Sequence, residues 1–210
     1  FSFEVGQYQV LPDFRELEEF KGISDPVNLR LIKDRVHAAG ISSEEWKRYV
    51  EATGEISKIG YREEIEAAMR TKQLSGISLL GLQDFPGQGT ALVGMLNSHL
   101  QPKPYPFADP KSFKEFFTDQ LPLVLLPKYT WENTEELTAR IVIANYGKLD
   151  LRGTVQYELK AEDMEVVAAG AMGEITCPIS CLTDAGMLKI SLSNITTPSR
   201  FDLTVKIDTI

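Results

Sequence analysis

Two short segments of the sequence, residues 4–8 and residues 83–90, combine acidic, amide and aromatic side chains. The side chains able to do chemistry there are Glu4, Gln7, Tyr8, Gln83, Asp84 and Phe85. Acids transfer protons and stabilise a carbocation, amides bind hydroxyl groups, and aromatic rings cover the apolar face of a pyranose. These residue types are the ones that binding and cleaving a sugar requires.

Each of these residues also has an ordinary structural interpretation, and spacing alone does not decide between the two. A glutamate at the end of a strand is commonly a solvated or helix-capping carboxylate. Tyr8 and Phe85 could pack at a rim, and the Pro86–Gly87 pair with Gly89 is typical of a tight turn. The same loop could approach a phosphate, but no helix-opening Lys-Ser/Thr follows it.

The remaining reactive residue types predict no other site. Neither His37 nor His99 lies near a Ser or Cys elbow, so the sequence offers no nucleophilic triad. Cys177 and Cys181 are separated by only three residues and lack the second Cys or His pair of a zinc site, so we expect ordinary thiols. No ligand cluster predicts a metal, and no cofactor is predicted.

The composition is that of a soluble globular protein, with 43% hydrophobic and 25% charged residues. The net charge is −8, from 22 basic and 30 acidic residues. This balance offers no basic face for nucleic acid. No apolar run approaches the roughly 18 residues of a membrane helix. Because residues 1–3 already resemble a strand, we expect the chain to be a fragment of a longer polypeptide.

Residues 1–127 alternate between strand and helix patterns. The predicted elements are a strand at residues 1–5, a helix capped by Ser24 and Asp25 and ending at Gly40, a helix after the Ser42 cap, a helix carrying Tyr61, Ile65 and Met69, a buried strand at residues 76–82, and a helix from Asp109 to Leu121. This order is typical of a parallel α/β sheet. Functional groups in such sheets gather after the carboxyl ends of strands, where residues 4–8 and 83–90 both fall.

After Pro127 the pattern changes to short strands with alternating apolar and polar residues. These segments are residues 137–144, 154–159, 187–193 and 201–207. Turn residues separate them, and this spacing favours a β-sandwich of roughly immunoglobulin type. We place the boundary between the two domains near residues 127–133.

Several residue strings in this chain resemble a known family. They are residues 3–8, 12–14, 80–94, 125–128 and 144–147, of which Gln-Asp-Phe-Pro-Gly-Gln-Gly-Thr at 83–90 is the most specific. Together they resemble the carboxy-terminal half of bacterial proteins related to family two glycoside hydrolases, the β-galactosidase and β-glucuronidase group. The resemblance covers residues 1 to about 160.

The resemblance implies an α/β plus all-β fold. Residues 1–127 would be the carboxy-terminal portion of a (β/α)8 barrel, from strand seven to helix eight, and residues 128–210 an immunoglobulin-like β-sandwich. Glu4 would be the nucleophile, and Gln7, Tyr8, Gln83, Asp84 and Phe85 would contact substrate. The family's general acid/base would lie upstream of Phe1, and its divalent cation finds no ligand cluster here.

Three interpretations therefore compete. The first is a fragment of a retaining glycosidase that acts on terminal β-linked sugars and is inactive alone, because retention needs two carboxyl groups about 5–5.5 Å apart. The second is a non-catalytic carbohydrate-binding module, and the third is a structural interaction domain. We also expect the fragment to self-associate through the edges of the strands that carry Phe3 and Leu79.

Overall fold

The computed structural model describes residues 1–23, 25–88 and 92–209. The chain divides into two compact units, Phe1–Phe117 and Thr118–Ile210. We call them the first and the second unit. None of the helices in the described ranges has the length and apolarity needed to cross a membrane.

The first unit contains α-helices and one pair of short strands. Its elements are β1 (Ser2–Val5), a 3-10 helix (Phe14–Glu18), α1 (Val27–Ala38), α2 (Ser43–Met69), β2 (Ile77–Leu79), a second 3-10 helix (Pro106–Ala108) and α3 (Pro110–Lys114). β1 and β2 run parallel, and Leu80 N donates to Val5 O at 2.9 Å. The two strands therefore end at the same edge, and the loops that follow them start there.

The predicted barrel portion is wrong. Over the described residues the first unit has a two-stranded sheet, and no part of a (β/α)8 barrel is evident. β2 spans three residues instead of 76–82, and α3 ends at Lys114 instead of continuing to Leu121. The physical reason is that apolar content does not ensure burial: Phe3 is 73% exposed and Leu82 is 60% exposed. The α/β plus all-β class is therefore corrected to a largely β chain with three α-helices in its described part.

The predicted helix ends agree better with the structure. Ser42 caps α2, with Glu45 N donating to Ser42 Oγ at 3.2 Å. Gly40 follows the end of α1 with φ 76°, the left-handed conformation of a helix stop. At the other end of α1 the predicted cap is wrong: Pro26 is the N-cap, with no side-chain capping bond, and Asp25 pairs with Arg30 instead. Ser24 lies outside the described residues. The two helices expected after Ser42 are one continuous helix of 27 residues.

The second unit consists of six strands. They are β3 (Gln120–Leu125), β4 (Glu136–Asn145), β5 (Leu151–Ala161), β6 (Val166–Cys177), β7 (Cys181–Ser191) and β8 (Phe201–Thr209). Two antiparallel sheets form, with strand orders β3-β4-β7 and β6-β5-β8. The period-2 pattern located β4, β5 and β8 and the second half of β7, and it missed β3 and β6.

One apolar core joins the two sheets. Ile141 and Ile143 of β4 and Val155 and Leu159 of β5 are at most 1% exposed and belong to the same cluster. This two-layer arrangement is a β-sandwich and is compatible with the immunoglobulin-like type predicted above. Cys177 and Cys181 are free thiols.

The buried side chain of Asn145, at the end of β4, makes four hydrogen bonds. Its Nδ2 donates to Leu149 O at 2.9 Å and to Cys177 O at 2.8 Å. Its Oδ1 accepts from Gln120 Nε2 and from Gly147 N. All four bonds connect backbone or side chains of the sandwich, so the Asn145 motif is structural.

Candidate functional site

Glu4 stands at the end of β1 with its carboxylate accessible. It is exposed, and its backbone has φ 58°, a left-handed conformation that costs energy for any residue except glycine. Gln7 Nε2 donates to Glu4 Oε2 at 2.9 Å and reaches Glu4 O at 3.3 Å. The structure thus brings these two predicted site residues together and fixes the direction of the carboxylate. We call residues 4–8 the Glu4 loop.

Glu64 of helix α2 accepts two hydrogen bonds from the Glu4 loop. Gly6 N donates to Glu64 Oε2 at 2.6 Å, and the Tyr8 hydroxyl donates to Glu64 Oε1 at 3.2 Å. Burial and the negative charge of Glu64 raise the pKa of Tyr8. Both carboxylate oxygens of Glu64 are therefore occupied by the loop.

Two further polar side chains of α2 extend this attachment along the chain. Ser57 Oγ donates to Tyr8 O at 2.9 Å, and Leu11 N donates to Thr53 Oγ1 at 3.1 Å. Residues three and four positions apart share one helix face, so positions 53, 57, 60 and 64 form a stripe along α2. This stripe determines the path of the chain from the Glu4 loop to Leu11.

Small residues allow aromatic rings to enter between the helix and the loop. A Cβ at Gly60 would lie 2.4 Å from the Tyr8 ring, and one at Gly6 would lie 1.8 Å from the Tyr61 ring. Tyr61 is 1% exposed, and its hydroxyl donates to Val93 O at 2.8 Å. Burial raises the pKa of Tyr61. Tyr61 thereby connects the loop after β1 to the segment that follows β2.

Asp84 lies inside the first unit. Its side chain is 4% exposed, its Oδ2 lies 2.8 Å from Lys103 Nζ, and its Oδ1 accepts from Gly94 N at 2.8 Å. Burial raises the pKa of Asp84, and the Lys103 ammonium opposes this shift. A carboxylate with these partners does not reach a ligand at the surface.

Gln83 and Phe85 flank Asp84 and point outward. Gln83 is exposed, and Phe85 is 59% exposed with its ring against Gly87. Both follow β2, at the edge where the Glu4 loop follows β1. The predicted Gly89 and its neighbours to residue 91 lie outside the described residues.

The sequence interpretation missed a second group of charged residues. Asp13, the cap of the first 3-10 helix, accepts from Tyr105 Oη at 2.9 Å and pairs with Arg15. Burial opposes ionisation of Asp13, but the bonds from Arg15 and Tyr105 outweigh it and lower the pKa of Asp13. Burial, together with the charge of Asp84, raises the pKa of Glu16 to about 7.

Glu64 and the Asp13 group gave different signals in the sequence. The acidic run at residues 62–66 is typical of the exposed side of a helix, and only the spacing of positions 53, 57 and 64 indicates that they share a face. Asp13 lies in one of the resemblance strings, but its partner Tyr105 is 92 positions away. In the described ranges, no group of three or more His, Cys, Asp or Glu side chains is placed to hold a metal ion.

Comparisons with known proteins give one family match and a distant structural likeness. A family model described as a domain of unknown function, DUF8488, matches residues 135–210, which lie within the second unit. No curated protein sequence matches the chain significantly.

Among solved structures, the chain is similar to the exo-chitosanase CsxA of Amycolatopsis orientalis, with 12% identity and a TM-score of 0.46 over 76% of this chain and 18% of that one. It is equally similar to a variant of that enzyme in complex with PNP-beta-D-glucosamine, with 12% identity and a TM-score of 0.46 over 79% of this chain and 18% of the other. The match thus spans less than a fifth of the length of these structures, and this distant likeness assigns neither activity nor substrate.

Proposed function

We propose that the Glu4 loop is a carbohydrate site of a glycoside hydrolase and that Glu4 is the nucleophile in retaining hydrolysis of terminal β-linked sugars. The observation that carries this proposal is the exposed Glu4 carboxylate, held by Gln7 at 2.9 Å on a backbone with φ 58°. Unfavourable backbone conformations persist where surrounding contacts enforce them, and they are frequent at active sites. The residue strings that resemble family two glycoside hydrolases support the same role.

The neighbouring residues have distinct roles in this proposal. Gln7 orients the nucleophile, and Tyr8 is fixed by Glu64. Gln83 and Phe85 are exposed after β2 and offer an amide for sugar hydroxyls and a ring for stacking. Asp84 is assigned a structural role because Lys103 and Gly94 occupy its oxygens.

Retention proceeds in two steps. The Glu4 carboxylate attacks the anomeric carbon and forms a glycosyl ester while an acid protonates the leaving oxygen. Water then cleaves the ester, and the residue that protonated the leaving oxygen now acts as the base that deprotonates this water. Glu64 does not fit the acid role, because Gly6 N and Tyr8 Oη occupy its oxygens. The resemblance implies an acid/base upstream of Phe1, so the proposal takes the second carboxyl group from outside residues 1–210, and the isolated chain should not hydrolyse aryl β-glycosides.

A second candidate is sugar binding without catalysis. The exposed Phe85 ring and the engagement of both Glu64 oxygens favour it, since Glu4 is then the accessible carboxylate of the Glu4 loop. In that case Glu4 would accept hydrogen bonds from sugar hydroxyls, and no covalent intermediate would form.

Labelling and kinetics on the full-length protein distinguish the two. A 2-deoxy-2-fluoro glycoside should label a peptide containing Glu4, and Glu4→Ala should abolish turnover, with azide restoring it and giving the inverted glycosyl azide. Gln83→Ala and Phe85→Ala should mainly weaken sugar binding, by about 1–3 kcal/mol. Glu18→Ala, an exposed acid away from the loop, is the matched control. Labelling of another carboxylate would sink the assignment. Sugar binding that is lost in Glu4→Ala, with no turnover in the unaltered protein, would support the binding module.

A further inference from the structure

Strand β8 of the second unit leaves one edge unpaired. It pairs with β5 on one side, and in the described part of the chain no strand adds to its other side. β8 is nine residues long, contains no proline and shows no bulge in its register with β5. Natural sheets usually protect such edges, because a row of unpaired N–H and C=O groups can pair with another strand.

The inward row of β8 is incompletely covered. Its four apolar side chains are half-buried and contact the sandwich core: Phe201, Leu203, Val205 and Ile207. The inward side chains of the neighbouring strand β5 are more deeply buried, since Val155 and Leu159 are 1% exposed. A further strand beside β8 would bury more of this apolar row.

The outward row of β8 has a charge pattern that is antisymmetric about Thr204. Moving outward from Thr204, the chain has Lys206 and then Asp208 on one side, and on the other it has Asp202 and then Arg200, which directly precedes β8. Positions at equal distance from Thr204 thus carry opposite charges.

Asp202 and Lys206 have no ion-pair partner among the described residues, and both are exposed. On the β5 side, Lys160 lies opposite Asp202, but its Nζ pairs with Glu158 at 2.7 Å. These two charges are therefore available to a strand that docks on the open edge.

We propose that β8 pairs in antiparallel register with β8 of a second copy of this chain, on a two-fold axis through Thr204. Opposite residues within the strands are then Asp202 with Lys206 of the second copy, Thr204 with itself, Phe201 with Ile207 and Leu203 with Val205. Arg200, which directly precedes β8, comes beside Asp208 of the second copy. Cross-strand pairs of opposite charge, threonine pairs and apolar pairs each stabilise antiparallel sheets. A two-fold axis duplicates the Asp202–Lys206 contact, so two ion pairs form within the strands, and Arg200 lies near Asp208 at each end.

The same charges exclude the neighbouring registers. A one-residue slip would turn the second copy over, so that its apolar row would lie on the same face as the charged row of the first copy. A slip of two residues in one direction places Asp202 opposite Asp208. In the other direction it places Asp202 opposite Thr204, which removes the ion pair, and brings Lys206 beside Arg200. Like charges directly opposite each other destabilise a strand pair, so the register centred on Thr204 is favoured.

The dimer joins the two β6-β5-β8 sheets into one sheet of six strands. A single strand pair buries little surface, so association should depend on protein concentration. It should weaken in about 1 M salt, where exposed charges are screened. This inference does not depend on the proposed function of the Glu4 loop.

Charge reversal in the 210-residue chain tests it by sedimentation velocity. The unaltered chain should form a dimer, and Lys206→Asp or Asp202→Lys should raise the dimer dissociation constant by at least about tenfold, since each reversal makes two attractive pairs repulsive. The double variant Asp202→Lys/Lys206→Asp should recover the dimer. A mixture of the two single variants should form a heterodimer, because every opposite pair is then complementary.

A matched control separates this effect from net charge. Lys148→Asp changes the charge equally at an exposed position between β4 and β5 and should leave the dimer intact. Three outcomes would overturn the proposal: a chain that stays monomeric at submillimolar concentration, a dimer that Lys206→Asp leaves unchanged, or a mixture of single variants that does not associate. If a single variant does not fold, as judged by circular dichroism, the double variant alone decides.

Discussion

Lys103 Nζ lies 2.8 Å from Asp84 Oδ2 and 2.9 Å from Asp84 Oδ1, and the two side chains are 5% and 4% exposed. Gly94 N donates to the same carboxylate at 2.8 Å. The ion pair and this hydrogen bond together connect Asp84, in the segment after β2, to Lys103 and Gly94 later in the first unit. A buried charge is tolerated only when it is paired and hydrogen-bonded, and both conditions hold here.

Removing one partner of this pair should destabilise the protein strongly. Lys103→Met leaves the Asp84 carboxylate buried without a cation, and we expect a loss of about 3–5 kcal/mol in the free energy of unfolding. The double variant Asp84→Leu/Lys103→Met should lose less than the sum of the single changes, because it removes both charges. Urea unfolding followed by circular dichroism measures each value.

The matched control is an ion pair whose two side chains are only partly buried. Lys58 Nζ lies 3.2 Å from Glu55 Oε2, and Lys58→Met should change stability by less than about 1 kcal/mol. A Lys103→Met effect as small as that of Lys58→Met would contradict the structural role of Asp84.

Local sequence patterns predicted the sandwich strands better than the first unit. β4 and β8 alternate apolar and polar residues, and each pattern reports directly which face meets the core. β6 was missed because its twelve residues include Gly170, Gly173 and several alanines, which have little strand preference. β3 was missed because Leu121 was assigned to the end of the predicted helix, whereas residues 120–125 form a strand beside β4.

The first unit depends on contacts between residues far apart in sequence. The pairing of Asp84 with Lys103 spans 19 positions, and that of Gly6 with Glu64 spans 58. No local pattern encodes either contact. The sequence therefore identified Glu4, Gln7 and Tyr8 as candidates, but it gave no indication that Glu64 supports them or that Asp84 is buried.

Gly60 provides a test of how α2 supports the Glu4 loop. Alanine favours helix interiors over glycine by about 1 kcal/mol, but a Cβ at Gly60 would lie 2.4 Å from the Tyr8 ring. Gly60→Ala should therefore destabilise the protein and displace Tyr8. In a Tyr8→Ala background the clash is absent, and the same substitution should stabilise. Thermal unfolding of the four proteins measures this change of sign, and Gly60→Ala stabilising both backgrounds would show that Tyr8 does not pack there.

Glu16 should make the stability of the protein depend on pH. Burial, then the charge of Asp84, raises the pKa of Glu16 from 4.5 to about 7, while Lys103 opposes the shift. Between these two values the folded protein keeps a proton that the unfolded chain has released. Unfolding then releases a proton, so stability falls as the pH rises through this window, and the loss is complete above about pH 7.

Glu16→Gln removes this titration and should flatten the dependence. We expect the unaltered protein to lose more thermal stability than Glu16→Gln between about pH 5 and pH 8 in matched buffers. Glu18→Gln alters an exposed acid of the same 3-10 helix and should keep the slope of the unaltered protein. Asp84 has a raised pKa in the same sense, so some slope should remain in Glu16→Gln. Equal slopes in the unaltered protein and in Glu16→Gln would show that Glu16 ionises as readily in the folded state as in the unfolded chain.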